Sequence, residues 1–258
     1  GAGEGCFLLE LMLENELVVA EHRFGSRFPS AQVRRASAAE YASFPQAVGR
    51  MELQLGGTLD VGLSLGADTG GGTGSKLWPG GLLLAEWLLQ RGASMVAGLD
   101  VLELGAGAAA LPSIAASACG ARRVLATDGI ACVVEQMRRN MEENAPSVSV
   151  QALDWASQQQ VASTGQFEVV IFSDGIYNER GGFFLADAVI SNLCPGGVAI
   201  AALPDCRQGI QSFEADLTSR GYSGKSIELD SSLVQAVLQP MQDDELGLIV
   251  PASLEELE

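Results

Sequence analysis

The sequence predicts an α/β protein built on a largely parallel sheet with helices on both faces. From Leu99 onward, short apolar runs alternate with segments that carry apolar residues at helical spacing. A glycine-rich turn, Gly105-Ala106-Gly107, separates the first of these runs from the helix that follows it. Alternating strands and helices favour a parallel sheet, and such a turn is typical of its carboxyl edge. The 258 residues suffice for one domain with an extension.

Five strands and four helices are predicted in this alternating part of the chain. The strands are expected at 99–104, 123–127, 148–153, 167–172 and 198–203. The helices are expected at 110–119, 130–144, 183–193 and 210–220. Two further apolar runs, 225–229 and 246–250, are expected to pair as a terminal hairpin and to bring the sheet to seven strands.

The part of the chain that precedes the alternation predicts a hairpin and a helix. Apolar and polar residues alternate at 51–65 across Gly56-Gly57, which indicates a β-hairpin. Pro79 begins a helix that is expected to continue to Arg91. The predicted domains are an N-terminal extension at 1–72, which includes the hairpin, and a main domain at 73–258.

An excess of acidic residues sets the net charge of the chain. Lys and Arg number 15 and Asp and Glu number 32, which gives a net charge of −17 at pH 7. This charge repels nucleic acid and anionic lipid, so neither is expected as a partner, and it favours a basic protein partner. An acidic surface also serves solubility alone, and that alternative is left open.

Cysteine and histidine usage limits the chemistry further. The five cysteines are scattered without a C-x-x-C pair, which predicts neither a disulfide framework nor a zinc site. A monomer in a reducing compartment is expected, the cytoplasm first and the nucleus as the alternative. The uncharged window at 104–121 contains glycine, proline and serine and is too weakly apolar for a membrane span. Because His22 is the single histidine, neither a metal site nor histidine-based catalysis is expected.

Two acidic residues accompany the glycine-rich turn. The turn lets the backbone approach a nucleotide-like ligand closely. Asp128, at the end of the second strand of the alternation, can accept hydrogen bonds from both ribose hydroxyls. Glu103, two residues before Gly105, would repel a pyrophosphate and attract the ammonium of a methionine moiety. The pattern favours S-adenosylmethionine over NAD, with a turn that serves packing alone as the remaining alternative.

A series of motifs carries a resemblance to a known family. In order along the chain they are ELGAG at 103–107, TD at 127–128, Asn140 with Asn144, LDW at 153–155 and SDGIY at 173–177. This series resembles the seven-β-strand protein-lysine methyltransferases of the methyltransferase 16 family, and the resemblance covers roughly residues 51–250. It implies the Rossmann-like, seven-stranded class I methyltransferase sheet with helices on both faces, here with an N-terminal β-hairpin extension. It also implies S-adenosylmethionine as cofactor.

The resemblance implies a role for each matching residue. Trp78 would lie at the rim of the pocket, and Trp155 would flank the adenine. Together with Glu103, the implied cofactor-binding residues are Trp78, Gly105, Ala106, Gly107, Asp128, Trp155 and Ser173. Asp174 and Tyr177, the D-x-x-Y pair, would face the substrate amine as catalytic residues. Gly175 departs from the family, which usually has a larger residue at that position.

The expected function is methylation of a protein, on a lysine side chain first. The alternatives left open are methylation of a protein histidine, an arginine or a small amine, an NAD-dependent oxidoreductase, and a noncatalytic cofactor-binding module. Asn140 and Asn144 lie one helical turn apart and are expected to be structural, capping or bridging to a neighbouring loop.

Overall fold

A computed structural model describes residues 6–13, 49–66, 72–204 and 208–227. Its strands are β1 Cys6–Leu13, β2 Gly49–Leu55, β3 Leu59–Leu65, β4 Asp100–Leu104, β5 Arg123–Asp128, β6 Ser149–Ala152, β7 Phe167–Ser173, β8 Leu193–Pro204 and β9 Tyr222–Ile227. Its helices are α1 Pro79–Trp87, α2 Ala93–Val96, α3 Leu111–Ala118, α4 Ala131–Asn144, α5 Gln158–Thr164, α6 Glu179–Asn192 and α7 Ile210–Ser219. A 3-10 turn at Gly72–Ser75 precedes α1, and a π turn at Leu88–Gly92 joins α1 to α2.

The main sheet has five parallel strands in the order β6-β5-β4-β7-β8, as the alternation of strands and helices predicts. Beyond β8 the sheet continues with β1 and β9, and β1 runs antiparallel to both neighbours. Strand β9, which overlaps the strand predicted at 225–229, therefore pairs with β1. Its expected partner, 246–250, lies outside the described residues. The main sheet thus includes a strand, β1, from the predicted extension at 1–72. The division of the chain at residue 72 stays a prediction.

Helices cover both faces of the sheet and bury two apolar clusters. On one face, α1, α3 and α4 pack with the apolar side of the β2–β3 pair. On the other face, α5, α6 and α7 cover the side chains of β4, β7 and β8, and the rings of Phe172 and Phe213 meet edge to face there. The helix α5 is an addition to the predicted elements. Within the described ranges, no helix is both long enough and apolar enough to cross a bilayer.

The β2 and β3 strands form an antiparallel pair beside the main sheet. Their three-residue connection, 56–58, contains Gly56 and Gly57, both with positive φ, and the amide of Thr58 donates to the carbonyl of Leu55 at 3.1 Å. The amide of Gly56 donates to the carboxylate of Glu86 on α1. On the opposite side, Arg50 pairs with Glu143 of α4. These contacts hold the pair against α1 and α4.

Candidate functional site

A cavity of about 300 Å³ lies at the carboxyl ends of β4, β5 and β7. This is the edge at which open α/β sheets bind ligands. Its wall combines the 3-10 turn before α1, the turns after β4 and β5, and the segment that follows β7. The predicted site residues on this wall are Trp78, Gly105, Ala106, Gly107, Asp128, Trp155, Ser173, Asp174 and Tyr177.

The glycine-rich turn forms the base of the cavity. Gly105 and Gly107 have φ of 68° and 63°, a region that side chains with a Cβ rarely adopt. The amide of Ala106 donates to the carbonyl of Thr127 at 2.9 Å, and the amide of Ala108 donates to the carbonyl of Gly74 at 2.8 Å. A Cβ on Gly107 would lie 3.1 Å from the same Gly74 oxygen. The turn is therefore held closely between β5 and the 3-10 turn.

Asp128 links the end of β5 to this turn. Its Oδ2 accepts from the amide of Gly107 at 3.1 Å, and its Oδ1 accepts from the amide of Ile130 at 3.0 Å. Burial raises the pKa of Asp128, while the backbone donors of Ile130 and Gly107 act in the opposite direction. The carboxylate thus stands on the wall of the cavity in a fixed orientation, where hydroxyl groups of a ligand can reach it.

Glu103 does not line the cavity, although the sequence predicts it as a cofactor-binding residue. It is only 1% exposed and is not part of the cavity wall. Its carboxyl group instead accepts from the amide and the hydroxyl of Ser113, in the first turn of α3. Burial raises the pKa of Glu103 to about 8, so in neutral solution the group carries its proton. The predicted attraction between a Glu103 charge and a ligand ammonium is therefore not supported by this geometry.

The indole ring of Trp155 lies against two glycines, one after β4 and one after β7. A Cβ on Gly105 would lie 2.8 Å from Cζ2 of Trp155, and a Cβ on Gly175 would lie 3.0 Å from its Cη2. The indole ring thus rests on both backbones at once. Its Nε1 is buried and has no hydrogen-bond partner among the described residues. The glycine at 175, a departure from the resembled family, makes room for this ring.

Asp174 sits directly after β7 with its side chain buried. Its Oδ2 accepts from the amide of Gly80 in the first turn of α1 at 2.7 Å, and its own amide donates to the carbonyl of Ala202 at 3.1 Å. Its φ is 52°, in the left-handed region. A Cβ on Gly80 would lie only 2.4 Å from Oδ2, so this close contact requires glycine there. Asp174 therefore stabilises a helix N-terminus in addition to lining the cavity.

Two aromatic side chains stand near the opening of the cavity. Tyr177 is 45% exposed, and its ring meets that of Trp78 edge to face with centroids 6.4 Å apart. Trp78 Nε1 donates to the carbonyl of Thr73 at 2.8 Å, which fixes the indole. Further wall residues were not predicted, among them Lys76, which contributes the one basic side chain of the wall as described. Its place in the GSKLWP segment is the only sequence signal that could have identified it.

The wall therefore offers a glycine turn, a carboxylate for hydroxyl groups, aromatic surfaces and a second buried carboxylate. Such a set can bind a nucleoside that carries an amino acid and can place a second, cationic or amine-bearing molecule beside it. No group of three or more His, Cys, Asp or Glu side chains that could hold a metal occurs among the described residues.

Comparisons with known proteins identify related sequences. A family model described as "Lysine methyltransferase" matches residues 59–207. The protein N-terminal and lysine N-methyltransferase efm7 of Emericella nidulans is 31% identical over 124 residues, 42% of this chain and 48% of the relative. The protein-lysine N-methyltransferase EEF2KMT of Homo sapiens is 30% identical over 189 residues, 67% of this chain and 54% of the relative. The chain thus spans about half the length of the curated relatives it matches.

Solved structures agree on the fold. A Streptococcus mutans protein assigned as a SAM-dependent methyltransferase superposes with a TM-score of 0.51 at 18% identity, over 66% of this chain and 46% of that protein. A similarity at this level of identity concerns the fold alone. It agrees with the parallel five-stranded sheet and its helices.

A first prediction concerns the protonated state of Glu103. Because the pKa of this carboxyl group rises from 4.5 to about 8 on folding, the unfolded chain loses its proton at a lower pH than the folded protein. The contribution of Glu103 to the free energy of unfolding should therefore fall between pH 5 and 8 and level off above pH 8. Glu103→Gln keeps an acceptor for Ser113 and does not titrate, so urea unfolding should show a difference between the two proteins that changes by about 3 kcal/mol over this range. Parallel pH profiles would mean that Glu103 is ionised when folded.

A second prediction concerns the contact between Gly175 and Trp155. The φ of Gly175 lies outside the left-handed region, so Gly175→Ala adds no backbone strain and acts only through the new Cβ. Displacement of the indole should raise the Kd for S-adenosylhomocysteine, the ligand type that the resemblance implies, by about threefold to tenfold. Trp155→Phe lacks the colliding atom, so the additional effect of Gly175→Ala should vanish in that background.

The matched control for this prediction is Gly181→Ala. Gly181 is another glycine of the wall, and a Cβ there would meet only the Asn178 Oδ1 at 3.5 Å, an ordinary contact. Calorimetric titration should give this variant the affinity of the unmodified protein. Equal affinities for Gly175→Ala and Gly181→Ala would refute the account of the Trp155 contact.

Proposed function

Because the chain belongs to the lysine methyltransferase family whose model matches residues 59–207, we propose that it transfers a methyl group from S-adenosylmethionine to a protein, on a lysine side chain. The observation that carries the proposal is the joint placement of the glycine turn, Asp128 and Trp155 around one cavity at the carboxyl edge of the sheet. We assign the fold to the seven-stranded class I methyltransferases, with β1 as one strand of the main sheet and the 51–65 hairpin as an extension beside it.

The residues of the cavity fit this cofactor. Gly105 and Gly107 give the turn its positive-φ conformation, which residues with a Cβ rarely adopt, and the turn would pass beneath the methionine and ribose. Asp128 already has both oxygens oriented by backbone amides and would accept from the ribose hydroxyls. Trp155 would flank the adenine, Ser173 would contact the cofactor through its backbone, and Trp78 would close the rim.

Catalysis by the chain's own residues would rest on placement and charge. The bound cofactor supplies an electrophilic methyl group on a sulfonium. The target amine, whose ordinary pKa is about 10.4, must be neutral when it attacks, and positive charge then grows on its nitrogen. The carboxylate of Asp174, held by the amide of Gly80, would stabilise this growing charge more than the neutral amine. The ring and hydroxyl of Tyr177 would position the amine.

The partner that this protein would modify is proposed to be a basic segment of another protein. The net charge of −17 attracts such a segment and repels polyanions, so nucleic acid and membranes are not proposed as partners. We further propose that the protein acts as a monomer in the cytoplasm.

Methylation of a cell lysate tests this function most broadly. The protein is incubated with methyl-labelled S-adenosylmethionine and a lysate, and labelled peptides are identified by mass spectrometry. Label on lysine of one or a few proteins is the expected result. Label on histidine, arginine or a small amine would show that this group, and not lysine, accepts the methyl group. The absence of any label would favour a noncatalytic module.

Asp174 supplies the sharpest test of the proposed mechanism. Asp174→Asn keeps an oxygen that can accept from Gly80, so fold and S-adenosylhomocysteine affinity should stay within about twofold of the unmodified protein. Loss of the negative charge should lower kcat by about a hundredfold or more. Asp60→Asn, on the exposed surface of the β2–β3 pair, serves as the control and should leave kcat unchanged. Near-normal turnover by Asp174→Asn would show that Asp174 has only its helix-capping role.

A further inference from the structure

Two asparagines of α4 cover the outer edge of β3. Gly62 and Ser64 turn their backbone amides and carbonyls away from β2, toward α4. Asn144 Oδ1 accepts from the amide of Gly62 and its Nδ2 donates to the Gly62 carbonyl, both at 2.8 Å. Asn140 does the same at Ser64, with distances of 2.9 and 3.1 Å. The side-chain amides therefore take the place of a further strand along this edge, and Gln136 Nε2 also donates to the Ser64 carbonyl at 2.8 Å.

Asn140 differs from Asn144 in one contact. Its Nδ2 also donates to the carbonyl of Ala108 at 2.7 Å. Ala108 directly follows Gly107, the second glycine of the turn beneath the cavity. The other Nδ2 donor of Asn144 goes instead to the carbonyl of Asn140 within the same helix, also at 2.7 Å. Asn140 alone of the two therefore connects the hairpin strand β3 to the glycine-rich turn.

The side chain of Asn140 is suited to hold this turn. It is 1% exposed, and its oxygen and both of its N–H groups are engaged at Ser64 and Ala108. The turn contains two glycines, whose backbone dihedral angles are the least restricted of any residue. Its position therefore depends on the hydrogen bonds that restrain it. The amides of Ala106, Gly107 and Ala108 are restrained by Thr127, Asp128 and Gly74, and Asn140 restrains a carbonyl.

We propose that Asn140 is a positioning residue for the cofactor turn, and that the β2–β3 hairpin supports cofactor binding through it. The proposal rests on the S-adenosylmethionine site proposed above. Asn140 touches neither cofactor nor substrate in this account. It sets the position of the Gly105–Ala108 backbone and thereby the affinity for the cofactor.

Asn144 provides a matched control for the test. Asn140→Ala and Asn144→Ala each remove one side-chain amide that pairs with β3, but only the first also removes the donor to Ala108. Asn140→Ala should raise the calorimetric Kd for S-adenosylhomocysteine by about fivefold to tenfold, and Asn144→Ala by no more than about twofold. In steady-state assays, Asn140→Ala should raise KM for S-adenosylmethionine with little change in kcat, because the effect is on binding.

The outcomes separate this inference from the proposed function. If the unmodified protein binds no S-adenosylhomocysteine, the proposed function itself fails. If it binds and the two alanine variants have equal affinities, the function stands and the role of Asn140 is refuted. If both variants fold and Asn140→Ala alone raises the Kd, the proposal is supported.

A measurement on the unmodified protein keeps the inference testable if Asn140→Ala fails to fold. Coupling between two sites is reciprocal, so cofactor binding should stabilise the contacts of Asn140 with the hairpin. Hydrogen exchange at the Ser64 amide should therefore slow on addition of S-adenosylhomocysteine, by more than exchange at the Gly62 amide, which bonds to Asn144. Equal changes at both amides, or none, would overturn the proposal.

Discussion

The path of the backbone at residues 105–108 is the constraint on which the rest of the site depends. The turn enters from β4, meets β5 through Thr127 and Asp128, and touches the 3-10 turn before α1 at Gly74. Gly107 lies so close to Gly74 that a Cβ on it would stand only 3.1 Å from the Gly74 carbonyl oxygen. Because β4, β5 and the 3-10 turn meet at this one short segment, the position of the turn fixes the base of the cavity relative to these three elements.

Three acidic residues near the ends of parallel strands share one structural task. Glu103 of β4 accepts from the first turn of α3, Asp128 of β5 accepts from Ile130 at the start of α4, and Asp174 after β7 accepts from the first turn of α1. Each acid therefore meets the positive end of a helix dipole and an amide without a partner inside its helix. What separates them is access to the cavity, since Asp128 and Asp174 reach its wall and Glu103 does not. The roles proposed for Asp128 and Asp174 in binding and catalysis would therefore fall on side chains that also stabilise the fold.

The sequence predicts the parallel strands and the glycine turn because both depend on local patterns. Apolar runs identify the five parallel strands to within a few residues, apart from the earlier start of β8. Other features depend on contacts that no local pattern encodes. The helix α5 buries only Val161, so it lacks an apolar stripe, and β1 finds its place between β8 and β9 through pairing with distant residues. The burial of Glu103 and the contact between Trp155 and Gly175 likewise depend on tertiary packing, which the local sequence does not encode.

The central claim is that the cavity binds a sulfur-containing nucleoside through the glycine turn and Asp128. Calorimetric titration of the unmodified protein with S-adenosylhomocysteine and, separately, with NAD tests it most directly. Both ligands present ribose hydroxyls to Asp128, but only NAD brings a pyrophosphate, and the wall as described offers Lys76 as its one basic side chain. Saturable binding of S-adenosylhomocysteine with no measurable binding of NAD is the predicted result. Binding of NAD with no measurable affinity for S-adenosylhomocysteine would contradict the claim.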